Sequence, residues 1–112
     1  MTPIAFAEKY GLRVVSEGSG GCREIEGAYL SDLLSMVMGR AQENDAFVTV
    51  MANLNTLAVA VLADVACVIL CEGIHFDDAC VARAKQQEIC VLESDEPAFA
   101  LALKLGRELG KC

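Results

Sequence analysis

Between residues 46 and 109 the chain switches repeatedly between two hydrophobic periods, and few folds accommodate that. The runs "AFVTVM" (46–51), "VACVIL" (65–70) and "ICVL" (89–92) are short, apolar and rich in β-branched residues. Each is followed by a longer stretch with helical spacing. These are "NLNTLAVAVLAD" (53–64), the segment from Asp77-Asp78 to about Gln87, and the segment from Ser94 to about Leu109, which opens with a Ser/Asp-then-Pro helix start. Bounded apolar runs alternating with helical stretches predict β-α-β-α-β-α, with parallel neighbours in a buried sheet.

The first half is less regular. Thr2-Pro3 predicts a helix cap followed by proline at the first helical position, with Gly11 as the stop. Residues 12–15 form an expected short strand, and "SEGSGGC" (16–22) a flexible turn. Residues 23–29 alternate charged and apolar side chains, which predicts a strand with one wet face. Ser31 or Asp32 is the expected cap of a helix through "LLSMVMGRA", with Leu33, Leu34, Val37 and Met38 on one face. The fold class that follows is α/β: one domain over 1–112, with a mostly parallel or mixed sheet of about five strands and helices packed on it. An antiparallel strand could come from the first half.

Composition narrows the partners. Sixteen acidic against nine basic residues give a net charge of −7, and aromatics make up 5% with no Trp. Such a chain repels phosphate backbones and anionic membranes and lacks stacking platforms, so neither nucleic acid nor a membrane is expected. The longest apolar stretch, 57–71, is interrupted by Asp64. The start "MTPIAFAEKY" has neither a basic region nor an apolar signal core, so a cytoplasmic location is expected. Of the six cysteines, Cys67, Cys71, Cys80 and Cys90 sit in or beside apolar runs, the usual place of small core residues in a reducing compartment.

"CVILCEGIH" (67–75) gathers two cysteines, a glutamate and the sole histidine. On a strand, Cys67 and Cys71 point the same way but lie about 13 Å apart, too far to share a zinc ion. His75 is expected in a solvent-exposed loop. A Cys71–His75 dyad is geometrically open, but Glu72, Asp77 and Asp78 make an acidic setting, the wrong one for an activated thiol. No catalytic set, metal site or cofactor is therefore expected. "GSGG" is not a phosphate-binding loop, and the dinucleotide and nucleophile-elbow patterns are absent.

Ligands of open α/β sheets bind outside the carboxyl ends of the strands. Three such ends are visible, "MANLN", "CEGIH" and "ESDE", and they offer Asn53, Asn55, Glu72, Gly73, Ser94 and Asp95 as candidate ligand contacts. The ordinary role of Asn53, Asn55, Ser94 and Asp95 is that of caps and turns.

Taken together, "IAFAEKYGLRVVS", "GAYLSDLLS", the turn before "FVTV", the alanine-rich helix leading into "ACVILCEG", and "AKQQEICVLESDEPAFALALKL" resemble the DRTGG domain family over nearly the whole chain. The N-terminal domains of HPr kinase/phosphorylase and of Mur ligases are more distantly similar. The chain departs from the family's naming residues. Met51-Ala52-Asn53-Leu54-Asn55 stands at the Asp-Arg place, and Cys71-Glu72-Gly73 at the Thr-Gly-Gly place, where only the last glycine survives. The resemblance implies a compact α/β domain of accessory or regulatory type and no kinase activity. The leading reading is a non-enzymatic regulatory or interaction domain, homodimeric through apolar surface on "LLSMVM" or the last helix, with a protein partner open. The alternative is a sensor of a small ligand, a nucleotide or other anion among the options, at the strand ends. A thiol-based metal or iron–sulfur accessory role through Cys22, Cys71 and Cys112 is the third.

Overall fold

The computed structural model describes residues 1–111. The chain folds into a five-stranded mixed sheet with five helices packed around it. In order these are α1 (Pro3–Tyr10), β1 (Arg13–Ser16), a single 3-10 turn (Gly20–Cys22), β2 (Gly27–Leu30), α2 (Leu34–Arg40), β3 (Asp45–Thr49), α3 (Leu54–Ala63), β4 (Cys67–Leu70), α4 (Asp78–Gln86), β5 (Val91–Glu93) and α5 (Ala98–Glu108). The sheet order is β1-β5-β4-β3-β2. Strands β2 to β5 are parallel, and β1 pairs antiparallel with β5 through an irregular register between Val14 and Ser16.

This order dictates where the helices go. Each crossover from β2 to β5 steps one strand in the same direction, and right-handed crossovers then place α2, α3 and α4 on one face. The other face is left to α1 and α5. The side chains follow the two-residue period of a strand. Ala46, Val48, Cys67, Ile69, Cys71, Cys90 and Leu92 pack with Phe6, Leu101 and Leu105. Phe47, Val68, Leu70 and Val91 pack with Val37, Leu57, Ala60 and Ala84. Every residue of β3, β4 and β5 is buried. That is why these strands read as near-continuous apolar runs. Each large aliphatic side chain so buried contributes about 1.5–3 kcal/mol. Cys67 and Cys71 do face the same side, as the strand reading required.

The helix ends follow local chemistry. Thr2 Oγ1 accepts from the Ala5 N–H at 3.2 Å, and Gly11 closes α1 in the left-handed conformation with φ 74°. Asn53 and Asp77 cap α3 and α4 through bonds from the Thr56 and Cys80 N–H groups at 3.1 and 2.8 Å. The Cys80 N–H holds the Asp77 carboxyl below the usual range.

In the first half α1, β1 and its antiparallel pairing match expectation, and the departures lie between Arg23 and Met38. The expected strand over 23–29 is confined to β2 and runs parallel to β3. Residues 23–26 serve other bonds. The Ile25 N–H goes to the Met1 carbonyl, the Glu26 N–H goes to the Asn44 carbonyl, and the Arg23 side chain spans to Asn44, Asp64 and Val65. Neither Ser31 nor Asp32 caps α2, whose N-cap position is Leu33 with no side-chain bond. The expected apolar face of α2 also narrows. Val37 is buried and Leu34 packs against the core, but Leu33 and Met38 are exposed.

Candidate functional site

All four parallel strands end on one side of the molecule. Between the ends of β2, β3 and β4 and the start of α5 lies a cleft of about 230 Å³. Ser31, Asp32, Thr49, Cys71 and Glu72 line its polar part, and Leu30, Val48, Val50 and Ala98 its apolar part.

Asp32 organises the polar wall. Its Oδ1 accepts from the Thr49 hydroxyl and from the Val50 N–H, each at 3.0 Å, and so ties the end of β2 to the end of β3. The Thr49 hydroxyl in turn accepts from the Met51 N–H at 3.1 Å. The Cys71 thiol donates to the Thr49 carbonyl at 3.7 Å. Burial pushes that thiol up, and the Glu72 and Asp32 carboxylates push it further. Both causes disfavour the thiolate, the form an activated cysteine needs.

Glu72 reaches the cleft from a tight turn. Glu72 and Gly73 have φ of 62° and 74°, and the Ile74 N–H bonds back to the Cys71 carbonyl at 3.1 Å. Positive φ at both central residues marks a type I′ turn, a place where glutamate is unusual. The Glu72 and Gly73 N–H groups bond to the carbonyls of Glu96 and Ser94 at 2.8 and 3.0 Å, fastening this loop to the one after β5.

Of the six expected contacts, Glu72 lines the cleft, and Gly73 sits beside it in the turn. Asn53 is engaged as the α3 cap, and Asn55 is exposed in the first turn of that helix. Ser94 is buried, and its hydroxyl accepts from the Glu96 N–H at 3.1 Å. Asp95 is exposed and accepts from Arg13 Nη2 at 3.3 Å. The structure therefore does not gather the six around one cleft. Ser31, Asp32, Thr49 and Cys71 complete the lining. The signal for the first two was present: "GAYL" followed by "SD" and a helical run repeats the strand-end pattern of the later units.

His75 forms no dyad with Cys71. Its Nδ1 lies 2.6 Å from Glu93 Oε1, although the ring stays 58% exposed. Among the described residues no group of three or more His, Cys, Asp or Glu side chains is arranged to hold a metal ion. Cys112, one of the three cysteines of the metal reading, lies outside the described residues.

No protein-family model matches the chain, and no curated protein does. Among solved structures it is similar to the CBS and DRTGG domains of the regulatory region of Clostridium perfringens pyrophosphatase, complexed with its activator diadenosine tetraphosphate. The TM-score is 0.71 at 13% sequence identity, over 93% of this chain. The chain spans 45% of that structure's length. The likeness is one of fold. It supports a DRTGG-like architecture and does not extend to HPr kinase/phosphorylase or Mur ligases.

Proposed function

We propose that this chain is a non-enzymatic regulatory domain that senses a small ligand in the strand-end cleft. The observation that carries the reading is the cleft itself, a recess at the carboxyl ends of parallel strands with Asp32 and Glu72 projecting from two separate loops. Ligands of such sheets bind there. The likeness to a regulatory region that binds a nucleotide activator supports a sensing role. The burial of Cys71 and the carboxylates of Glu72 and Asp32 near it make a setting unlike that of an activated thiol.

The lining carries two carboxylates and no Lys or Arg. A bare phosphate entering it meets like charge. The part of the ligand that enters should therefore present hydrogen-bond donors, such as an amine, an amide or a nucleobase edge, with any phosphates left outside or bridged by a cation. The test is thermal unfolding of the protein with nucleosides, nucleotides and simple amines, in wild type and in Glu72→Gln. A shift seen in wild type, lost in Glu72→Gln and kept in Asn53→Ala supports the cleft. A shift that survives Glu72→Gln places the ligand elsewhere.

Self-association is the second reading, and a separate observation favours it. Leu33, Met36 and Met38 around α2 and Phe99 on α5 are 57%, 38%, 45% and 73% exposed. A second subunit covering either group would remove that apolar surface from water. Sedimentation as a monomer at every usable concentration would exclude a homodimer.

A further inference from the structure

We propose that Glu93 is a latch that holds the cleft loop, residues 71–77, through His75 and Phe76. Glu93 closes β5 and is only 5% exposed, although it carries a carboxylate. A buried carboxylate persists in a fold only with partners. Its partners come from two elements. His75 Nδ1 lies 2.6 Å from Oε1, and the Phe76 N–H donates to Oε2 at 3.3 Å, both from the cleft loop. Arg13 Nε approaches Oε1 at 3.7 Å from the antiparallel edge strand β1, where Arg13 and Glu93 are paired in register. Arg13 also reaches Asp95.

The loop held in this way is the one that delivers Glu72 into the cleft three residues earlier. Its near half is fastened by bonds from the Cys71, Glu72 and Gly73 N–H groups to the Thr49, Glu96 and Ser94 carbonyls, and its end by the Asp77 cap of α4. His75 and Phe76 thus anchor the far half of the loop, and Phe76 completes the anchor by burying its ring in the core under α3 and α4. The latch shares its carboxylate with β1, so a displacement of that edge strand alters the bond set on Glu93 and is felt at the loop. A strand at the edge of the sheet becomes coupled to the cleft without any contact between them. That the coupling reaches a bound ligand rests on the cleft reading above; the latch itself does not.

Amide hydrogen exchange on the unliganded protein therefore tests the latch alone. In His75→Ala the amides of Glu72, Gly73 and Phe76 should exchange roughly tenfold faster, as expected for loss of one hydrogen bond to a charged group. Amides of β3 and β4 should keep their wild-type rates, because local opening leaves the core closed. His75→Gln, which retains a donor for Glu93, should restore most of the protection. Unchanged exchange in His75→Ala, a uniform rise across the sheet, or a Gln variant that behaves like Ala would each overturn the latch.

Discussion

At the amino ends of the strands one side chain and one turn cross-link the loops, whereas at the carboxyl ends the loops are joined to their neighbours around a cleft. A Cβ on Gly20 would lie 2.1 Å from the Ala66 carbonyl oxygen, so the 3-10 turn packs its bare backbone onto the segment entering β4. Arg23 bonds to Asn44 Oδ1, to the Asp64 carboxylate and to the Asp64 and Val65 carbonyls at 2.9 to 3.2 Å, and the Ser19 N–H reaches the Glu88 carbonyl at 3.0 Å. One side chain and one glycine-rich segment thereby join the loops entering β3, β4 and β5. The depression left there is about 140 Å³. At the opposite end each loop is tied only to its neighbour, and the cleft of about 230 Å³ remains. The contrast is one of bracing: the amino-end loops are cross-linked by Arg23 and the Gly20 turn, although Asn44, Asp64 and Glu88 there also take positive φ, and the carboxyl end keeps a cleft lined by Asp32 and Glu72.

The largest test of that contrast is Gly20→Ala. The new methyl overlaps backbone, which cannot rotate aside, so the loss should reach about 3 kcal/mol, the upper part of the overpacking range. Urea unfolding reads it as a lowered midpoint. A variant of wild-type stability would show that the turn is not held where Gly20 places it. Next is Arg23→Ala, which leaves the Asp64 and Val65 carbonyls without their charged donor. It should cost about 2 kcal/mol. Arg23→Lys should recover little, because a single ammonium cannot replace the planar fork that bridges the loops entering β3 and β4.

How much of this was legible in the sequence differs between the same two ends. Much that is set by local period or local capping could be read: the strand–helix alternation after residue 46, the buried runs of β3 and β4, the Thr2 cap and the helix start at Asp77-Asp78, though not the start of α2. Parallel neighbours and an antiparallel strand from the first half could also be read, but not the contacts of single side chains across the chain. The alternation at Arg23, Glu24, Ile25 and Glu26 resembles a strand, but Arg23 is turned toward loops up to 42 residues away. Asp32 looks like a helix cap because it precedes "LLSMV", yet its carboxylate bonds to β3. Because the expected strand over 23–29 differs in extent from β2 (Gly27–Leu30), the carboxyl end of β2 is not among the three strand ends visible in the sequence, and Ser31 and Asp32 are missing from that reading of the cleft. Glu72 was recoverable because the apolar run before it is unambiguous.

The buried thiols give a smaller, pH-dependent contrast. Cys67 and Cys90 begin β4 and precede β5 on the face under α1 and α5, beside one another. Burial drives both upward, Cys90 to about 12 and Cys67 well above its ordinary value. For an acid with a raised folded value the sign is fixed. Below the unfolded thiol value both states hold the proton and the full stability is present. Above it the unfolded state loses the proton first, and stability falls. The loss begins near pH 9 and reaches up to about 1.4 kcal/mol per pH unit for each thiol. Denaturant midpoints between pH 8 and 11 should fall less steeply in Cys67→Ala/Cys90→Ala than in wild type. Equal slopes would mean that the thiols titrate alike in both states.

The smallest effect has the opposite sign, and it belongs to the open end. Glu72 sits at φ 62°, a conformation that costs an L-residue about 1–2 kcal/mol. Glycine takes that conformation freely but adds about 0.5–1 kcal/mol of chain entropy to the unfolded state. Glu72→Gly should therefore raise stability by roughly 0.5 kcal/mol, the net of those two terms. It should also remove a cleft carboxylate and with it any ligand-induced shift. Urea midpoints in Glu72→Gly and Gly20→Ala would then move in opposite directions. A Glu72→Gly variant that is less stable than wild type would mean that the carboxylate helps hold the loop, and the carboxyl end would then be part of the scaffold and not an opening left in it.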